Sequence, residues 1–418
     1  MHNIKCNRLN QINIQHYNYI NINTSTYKTN KYKLYNFDHV NQKLYSTMKL
    51  KIKSALFAAV LTSSFALISC GQDDMKTDLT ESQNQDKNNS LASKTVVPLA
   101  NCVAPGWASQ NGGTTGGGTA AETTVTTYAQ LKSAIENTAV KVIKVTGTIT
   151  ITTRLSLQDQ TGKTIYGTSG AKLVSTNQTK DGSGIINIKR CNNIVVRNLI
   201  FEGPGAYDTD GWDNAILDDC RNVWIDHCEF RDGVDGNFDI KNKSDFVTVS
   251  YTKFHYLKPA KAGGSGGTDD HRFSNLIGSS DGATADAGKL NVTFVRCWWA
   301  PGCRERMPRV RFGKIHILNS YFNSPVSNKC IAAGVQANIR VDGNVFENVN
   351  EPINLMSGYT AVTVTSNNTF TNVTGNKVGS GTAFTPPYTI PTLSLSSVKS
   401  DVTSNAGATL TGNICNSL

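Results

Sequence analysis

The 418-residue chain has ten cysteines but no CxxC pair, the spacing typical of thiolate zinc sites, so we expect no such site. Helical periodicity is also scarce, and 128–137 is the one stretch predicted to be a helix. Short runs rich in β-branched residues dominate instead, for example 142–145, 149–152 and 163–166. These absences favour an all-β fold.

Acidic residues are nearly missing from residues 1–69, which contain nine lysines and arginines but only Asp38. This segment supplies eight of the ten net positive charges, which leaves about +2 for the remainder. A basic chain would ordinarily suggest a nucleic acid or a membrane surface as partner. Because the excess belongs to a leader, we expect no nucleic-acid partner for the folded part.

No apolar run near the N-terminus is long enough to span a bilayer. Met48 is followed by three lysines and by the short apolar run 55–68, the pattern of an export signal. The sequence 67–70 resembles the lipobox of bacterial lipoproteins, in which the cysteine is lipidated. We therefore predict lipidation of Cys70 and a secreted protein that is lipid-anchored at the bacterial cell envelope. The alternative is an ordinary signal peptide cut nearby.

The chain is predicted to have four parts. Residues 1–47 are an upstream extension with no apolar period, and 48–70 are the lipoprotein signal peptide. Residues 71–98 are polar and poor in large apolar side chains, as in a disordered tether. Residues 99–418 form the folded domain.

An eight-residue frame that begins with an aliphatic residue and usually ends with phenylalanine recurs along this domain. Its copies are 194–201, 223–230, 247–254, 292–299, 315–322, 339–346 and, more weakly, 363–370. Successive starts differ by 29, 24, 45, 23, 24 and 24 residues, and we interpret the 45 as two turns with one unmatched strand. A period in the twenties without helices indicates the stacked coils of a β-solenoid. A β-sandwich, the alternative, has no reason to keep so constant a register.

The repeat also bears on the cysteines. Without Cys6 and Cys70, eight remain, and an oxidising compartment would permit disulfides among them. Cys191 and Cys220 each lie three residues before a frame, so they should stack on adjacent coils about 4.8 Å apart. We therefore predict a Cys191–Cys220 disulfide.

Carboxylates cluster in the segment 235–240. In a strand, Asp235 and Asp239 share one face because side chains alternate, and Asp213, one coil earlier, brings a third carboxylate alongside. Close like charges are unfavourable unless a cation lies between them, and all-oxygen ligands select a hard ion such as calcium. The alternative is a set of solvated surface acids.

Arginines cluster in the segment 306–313. Arg309 and Arg311 should point outward from a strand, while Pro308 interrupts the strand so that Arg306 lies at a bend. Three guanidinium groups so close would repel each other unless an anion lies among them. A carboxylate-rich polymer fits, because arginine binds carboxylates in bidentate fashion.

Several blocks of sequence together resemble the signature of the pectate lyase family, which includes the pectin lyases. The blocks are 128–131 with 145–149, 223–227, 235–240, 244–250 and 306–316, and they occur in the family's order. The resemblance implies an all-β, right-handed parallel β-helix, a single-stranded solenoid with long loops on one side.

The resemblance also implies roles for single residues. Asp213, Asp235 and Asp239 match the family's calcium ligands. Arg306 matches the arginine that removes the C5 proton of galacturonate, and Arg311 matches a substrate-binding arginine. The block that contains Asp226 and His227 is structural in the family.

A substrate-binding lysine usually precedes the family's Leu-Ile-Gly segment, here 276–278, but this chain has a glycine-rich insert, 262–271, before that segment. We assign the role to Lys258, with Lys261 and Arg272 as alternatives. The insert is otherwise interpreted as a surface loop that shapes the cleft.

The resemblance implies a monomeric, calcium-dependent pectate lyase that cleaves α-1,4-linked polygalacturonate by β-elimination to 4,5-unsaturated oligogalacturonates. One alternative is a pectin lyase that acts on methylated pectin without calcium, which the three aspartates disfavour. The other is a non-catalytic surface lipoprotein that binds polysaccharide, which does not require an arginine at the bend.

Overall fold

The computed structural model describes residues 103–411, which are mostly short strands joined by turns. The strands form three parallel sheets, and successive strands visit the sheets in turn. The chain therefore winds in stacked coils, and each complete coil contributes one strand to each sheet. Predictions on 1–47, on the signal peptide 48–70 with Cys70, and on the tether 71–98 and its junction with the domain lie outside the described residues.

Sheet 1 has ten strands. They are β1 (Glu122–Val125), β2 (Val142–Val145), β5 (Thr161–Gly167), β8 (Asn192–Arg197), β11 (Arg221–Asp226), β14 (Asp245–Ser250), β17 (Val292–Val295), β20 (Lys314–Leu318), β23 (Asn338–Asp342) and β26 (Ala361–Val364).

Sheet 2 has nine strands and sheet 3 has eight. Those of sheet 2 are β3 (Thr148–Ile151), β6 (Lys172–Ser175), β9 (Ile200–Glu202), β12 (Glu229–Arg231), β15 (Lys253–His255), β18 (Trp298–Trp299), β21 (Tyr321–Phe322), β24 (Val345–Glu347) and β27 (Thr369–Thr371). Those of sheet 3 are β4 (Leu155–Gln158), β7 (Ile186–Lys189), β10 (Ala215–Asp218), β13 (Phe238–Lys241), β16 (Leu276–Ile277), β19 (Arg309–Val310), β22 (Ile331–Ala333) and β25 (Ile353–Leu355).

The register of the coils follows the eight-residue frame. The first residues of the frames pair in sheet 1 from Ile194 through Val223 and Val247 to Val292 and onward, and they are fully buried. The last residues form an aromatic stack in the core, in which ring centroids of neighbouring coils are 4.4 to 5.7 Å apart. Stacked apolar layers of this kind hold the coils together. The predicted parallel β-helix is confirmed.

Two details of the predicted repeat are wrong. The 45-residue interval is one coil and not two, because β14 pairs directly with β17 through Val247 and Val292. Its extra residues lie in long connections on either side of β16. The last frame starts at Val362, which pairs with Ile339, and one additional residue separates it from Phe370.

Two α-helices accompany the sheets in the described part. Helix α1 (Tyr128–Glu136) matches the predicted 128–137, is capped by Thr127 and buries Leu131 in the core. Helix α2 (Leu395–Asn405) was not predicted, because its serine-rich sequence has only Val398 and Val402 as a buried stripe. Short 3₁₀ helices lie at Gly106–Ser109 and Thr284–Asp286.

The predicted Cys191–Cys220 disulfide is not formed. The two residues lie on adjacent coils as expected, but both are free, buried thiols that donate to the carbonyls of Leu157 and Ile188, respectively. Each thiol is instead satisfied by a carbonyl of the preceding coil, so both cysteines remain reduced in this structure.

The long connections of most coils run from sheet 2 to sheet 3, which confirms the predicted loops on one side. The longest of them, after β15, covers 256–275 and contains the glycine-rich insert, whereas most connections between the other sheets are short turns. This side of the β-helix is where a cleft can form. Within residues 103–411, neither helix has the length and apolarity to cross a bilayer.

Candidate active site

The candidate site is a cleft of about 620 Å³ between the long connections and the outer face of sheet 3. Its acidic side chains are Asp235 and Asp239 together with Asp208 and Asp210, neither of which had been predicted. Its basic side chains include Lys241 and the predicted Arg306. The cleft therefore brings two of the predicted metal ligands and the predicted base together.

Asp213 and Asp239 meet because β10 and β13 are neighbours, with Ile216 paired to Asp239. Asp213 lies just before β10 against Gly236, where a Cβ atom would lie 2.5 Å from its Oδ1. Only glycine fits there. The Nζ atom of Lys241 lies 3.4 Å from Oδ2 of Asp239 and 3.7 Å from Oδ2 of Asp213, so one ammonium group serves both carboxylates.

The pKa shifts of Asp213 and Lys241 show how the charges of this acidic group are balanced. Burial raises the pKa of Asp213 well above its usual value, and the neighbouring Asp239 raises it further. Burial alone would lower the pKa of Lys241, but Asp239 and Asp213 hold it above its usual value. The raised pKa keeps Lys241 in its cationic form, so it compensates part of the acidic charge.

Asp235 is turned toward a different partner. Its Oδ1 lies 2.7 Å from Nε2 of His271, a residue of the insert, whose Nδ1 lies 3.4 Å from Oδ1 of Asp208. Within the described residues, Asp208, Asp235 and His271 are the one group of three such side chains with donor atoms all within 4.8 Å of one another. Asp213, Asp235 and Asp239, the predicted trio, lie in the same part of the site, but their donor atoms are not all within 4.8 Å of one another.

The residues nevertheless fit a hard divalent cation. Oδ1 of Asp213 is buried and has no hydrogen-bond partner among residues 103–411, so one oxygen remains for a ligand. Asp239 adds a second carboxylate, of which Oδ1 accepts a hydrogen bond from the amide of Leu276. Buried carboxylate oxygens beside each other are the donors that calcium prefers.

The three predicted arginines have different surroundings. Arg306, with a left-handed backbone (φ 59°), places its guanidinium 4.3 Å from the centroid of the Phe273 ring at the cleft. Arg309 is half-buried, and burial together with Arg311 and Arg306 lowers its pKa. Arg311 is turned to Asp281, with Nε 2.5 Å from Oδ1, and is almost fully buried.

The candidates for the substrate-binding lysine are engaged elsewhere. Lys258 donates to the carbonyl of Gly203 at 2.7 Å and lies 3.5 Å from Glu202, and it is not one of the residues that line the cleft. Lys261 stacks on the ring of Tyr207. Arg272 pairs with Asp270 through two hydrogen bonds.

Some site residues were not predicted from the sequence, and they differ in whether a sequence pattern could have revealed them. Lys241 could have been found, because it continues the alternation of Asp235 and Asp239 along the same strand face. Asp208 and His271 carry no periodic signal, since both belong to irregular connections.

Asp226 and His227 belong to a separate buried network. The carboxylate of Asp226 accepts from Arg197 and Ser250 and contacts His227 Nδ1 at 2.8 Å. Burial would raise the pKa of Asp226, but Arg197 and His227 hold it below its usual value. These side chains are 1–2 % exposed, which fits a structural role.

The stacked parallel coils, with acidic side chains and Arg306 lining one cleft, are those of a β-helical polysaccharide lyase. Residues 90–411 match the model of the family described as "Pectate lyase", and the chain belongs to this family.

Known relatives support this assignment. A pectate trisaccharide-lyase of Bacillus licheniformis is 35 % identical over 349 residues, which cover 79 % of this chain and 93 % of that protein. A probable pectate lyase B of Aspergillus terreus is 33 % identical over 58 % of this chain and 68 % of its own length.

Solved structures show the same fold. The pectate lyase Bsp165PelA from Bacillus sp. N165 in complex with trigalacturonate has a TM-score of 0.58 and 24 % identity, over 74 % of this chain and 99 % of its own. A pectate lyase bound to hexasaccharide has a TM-score of 0.57 and 22 % identity, over 77 % of this chain and all of its own.

Proposed function

We propose that the protein is a calcium-dependent pectate lyase that cleaves α-1,4-linked polygalacturonate by β-elimination to 4,5-unsaturated oligogalacturonates. The observation that carries the proposal is the position of Arg306 in the same cleft as Asp235 and Asp239. The relatives named pectate lyase and the pectate lyase solved with trigalacturonate support the choice of substrate class.

Asp213, Asp235 and Asp239 would hold the calcium ion. When bound, calcium supplies positive charge that stabilises the uronate carboxylate as C5 loses its proton. Lys241 limits the repulsion within the acidic group, because its ammonium lies within 4 Å of both Asp213 and Asp239. The cleft thus combines acids for a cation with Arg306 for an anion.

Arg306 would accept the C5 proton. The C5–H bond breaks, its electron pair forms the C4–C5 double bond, and the glycosidic oxygen leaves C4 and takes up a proton. The stacking of Arg306 on Phe273 fixes the guanidinium at the cleft. An arginine is ordinarily protonated, so the base form requires high pH and we expect an alkaline optimum. A neutral or acidic optimum with calcium in excess would count against Arg306.

Arg309, Arg311 and Lys258 remain proposed substrate contacts. Arg309 is the better placed of the arginines, because its Nε is buried without a hydrogen-bond partner, whereas Arg311 is bound to Asp281. For Lys258 to contact substrate, its ammonium must leave Gly203 and Glu202. Lys258→Ala should raise KM if it does so, and an unchanged KM would remove Lys258 from the set.

One assay tests the function. Ultraviolet absorbance of unsaturated product is followed with polygalacturonate and with methylated pectin, each with and without a chelator. We expect product from polygalacturonate alone, loss with chelator and recovery with calcium. Product from methylated pectin in the presence of chelator would indicate a pectin lyase, and binding without product would indicate a non-catalytic polysaccharide-binding protein.

We also propose that the protein is secreted, anchored through Cys70 at the bacterial cell envelope, and monomeric. The sequence 67–70, after its short apolar run, is the support for the anchor. Membrane-bound protein labelled by a fatty acid should become soluble and unlabelled in Cys70→Ala. Equal labelling of both proteins would exclude Cys70.

A further inference from the structure

The insert between β15 and β16 is built around Asp208. The amide of Gly266 donates to the backbone oxygen of Asp208 at 3.0 Å, and the amide of Thr268 donates to its Oδ2 at 2.7 Å. Cβ atoms at Gly264 and Gly266 would lie 2.1 Å from the Asp208 carbonyl oxygen and 2.0 Å from its Oδ1. Glycine at both positions therefore allows the insert to close over this carboxylate.

The same insert ends at His271, which is 5 % exposed and packs against the Phe273 ring. Its Nδ1 lies 3.4 Å from Oδ1 of Asp208 and its Nε2 lies 2.7 Å from Oδ1 of Asp235. Neither oxygen is placed along a hydrogen-bond direction, so within the described residues both ring nitrogens are buried without a hydrogen-bond partner. A buried imidazole in this state points to a ligand.

We propose that Asp208, Asp235 and His271 form a binding site for a first-row transition-metal dication. Their donor atoms lie within 4.8 Å of one another, a separation that one ion can bridge. An imidazole nitrogen with two carboxylates suits ions such as Co²⁺, Mn²⁺ or Zn²⁺ better than calcium, which takes oxygen ligands.

This site shares Asp235 with the proposed calcium site but contains neither Asp213 nor Asp239. That pair offers oxygen atoms only and already has the ammonium of Lys241 within 4 Å. Asp235 lies between the two groups, because it contacts His271 and also raises the pKa of Asp213. The inference does not depend on the proposed lyase activity, since it is tested by metal binding alone.

The test is a titration of the purified full-length protein with Co²⁺, followed by visible absorption and by isothermal calorimetry. We expect one Co²⁺ per chain at this site, and a loss of affinity of at least ~10-fold in His271→Gln and in Asp208→Asn. Thermal unfolding of each variant checks that the fold is kept. Because two ligands are altered in separate variants, a folding defect in one variant still allows the other to test the proposal.

Two controls make the result specific. His316→Gln removes another buried histidine beside a carboxylate, since His316 Nε2 lies 3.1 Å from Asp342, and it should leave Co²⁺ binding unchanged. Asp213→Asn should weaken calcium binding while Co²⁺ binding is kept. The proposal is overturned if wild type binds no Co²⁺, if His271→Gln binds it as tightly as wild type, or if Asp213→Asn abolishes it equally.

Discussion

The coil that starts at Val223 and the next coil, which starts at Val247, have the same paired strands but different lengths. The first returns to sheet 1 after 24 residues and the second after 45, yet both keep their register with their neighbours. The additional residues enter only the connections around β16, which carry His271 and the Asp281 partner of Arg311. The comparison teaches that the strand stack fixes stability and position, whereas the connections supply the chemistry.

The largest expected effect is on catalysis, which depends on a residue of the connections. Arg306→Lys should lower kcat by about 10²- to 10⁴-fold, the usual contribution of a positioned general base, while substrate binding stays close to wild type. Initial rates of unsaturated product formation measure it. Arg304→Lys is the matched control, because Arg304 pairs with Asp270 and is not one of the residues that line the cleft. Retained activity in Arg306→Lys would defeat the assignment.

The stability of the strand stack should depend on its aromatic core. Phe322→Ala removes a ring that lies 4.5 Å from the centroid of Trp299 and 4.4 Å from that of Phe346, and the expected loss in free energy of unfolding is about 3–5 kcal/mol. Denaturant unfolding measures the loss. Leu257→Ala, at a side chain that is 66 % exposed, should change stability little. Similar losses in both would contradict the division between stack and connections.

Asp213 connects the strand stack with the site, because it lies just before β10 and its carboxylate belongs to the acidic pair. Asp213→Asn should weaken calcium binding by about 10- to 100-fold, because it removes a buried carboxylate from the acidic pair. Calorimetric titration with calcium measures the affinity. Asp218→Asn, at the last residue of β10 and paired with Lys189, serves as control. Unchanged affinity in Asp213→Asn would exclude it as a ligand.

A smaller effect is expected from acid. Burial would raise the pKa of Glu229, but His255 and Arg231 lower it to about 2. The folded-state pKa is depressed, so Glu229 stabilises the fold fully above its unfolded value of roughly 4.3 and loses this contribution as pH falls through about 2.

In Glu229→Gln the fall of the unfolding midpoint over that pH range should therefore be shallower than in wild type. Thermal unfolding at successive pH values measures it. Glu136→Gln, at an exposed i,i+4 pair, is the control and should follow wild type. An equally steep fall in Glu229→Gln would exclude this carboxylate as a source of acid sensitivity.

Sequence reasoning succeeded where residues repeat. The frame residue Val223 predicted its pairing with Val247, and the alternation around Asp239 predicted which side chains leave the core. It failed where a connection decides the position of a side chain. Lys258 lies at the expected distance along the chain, yet Gly203 and Glu202 hold its ammonium away from the cleft.

The sequence by itself determined the coil, because a side chain's place on a parallel strand follows from period and burial alone. It also determined that acids and arginines share the outer face. Only the tertiary structure decided that Asp235 turns to His271, that Lys241 lies between Asp213 and Asp239, and that Cys191 and Cys220 remain thiols. Those outcomes depend on distances between atoms of different coils and loops, which no spacing along one chain specifies.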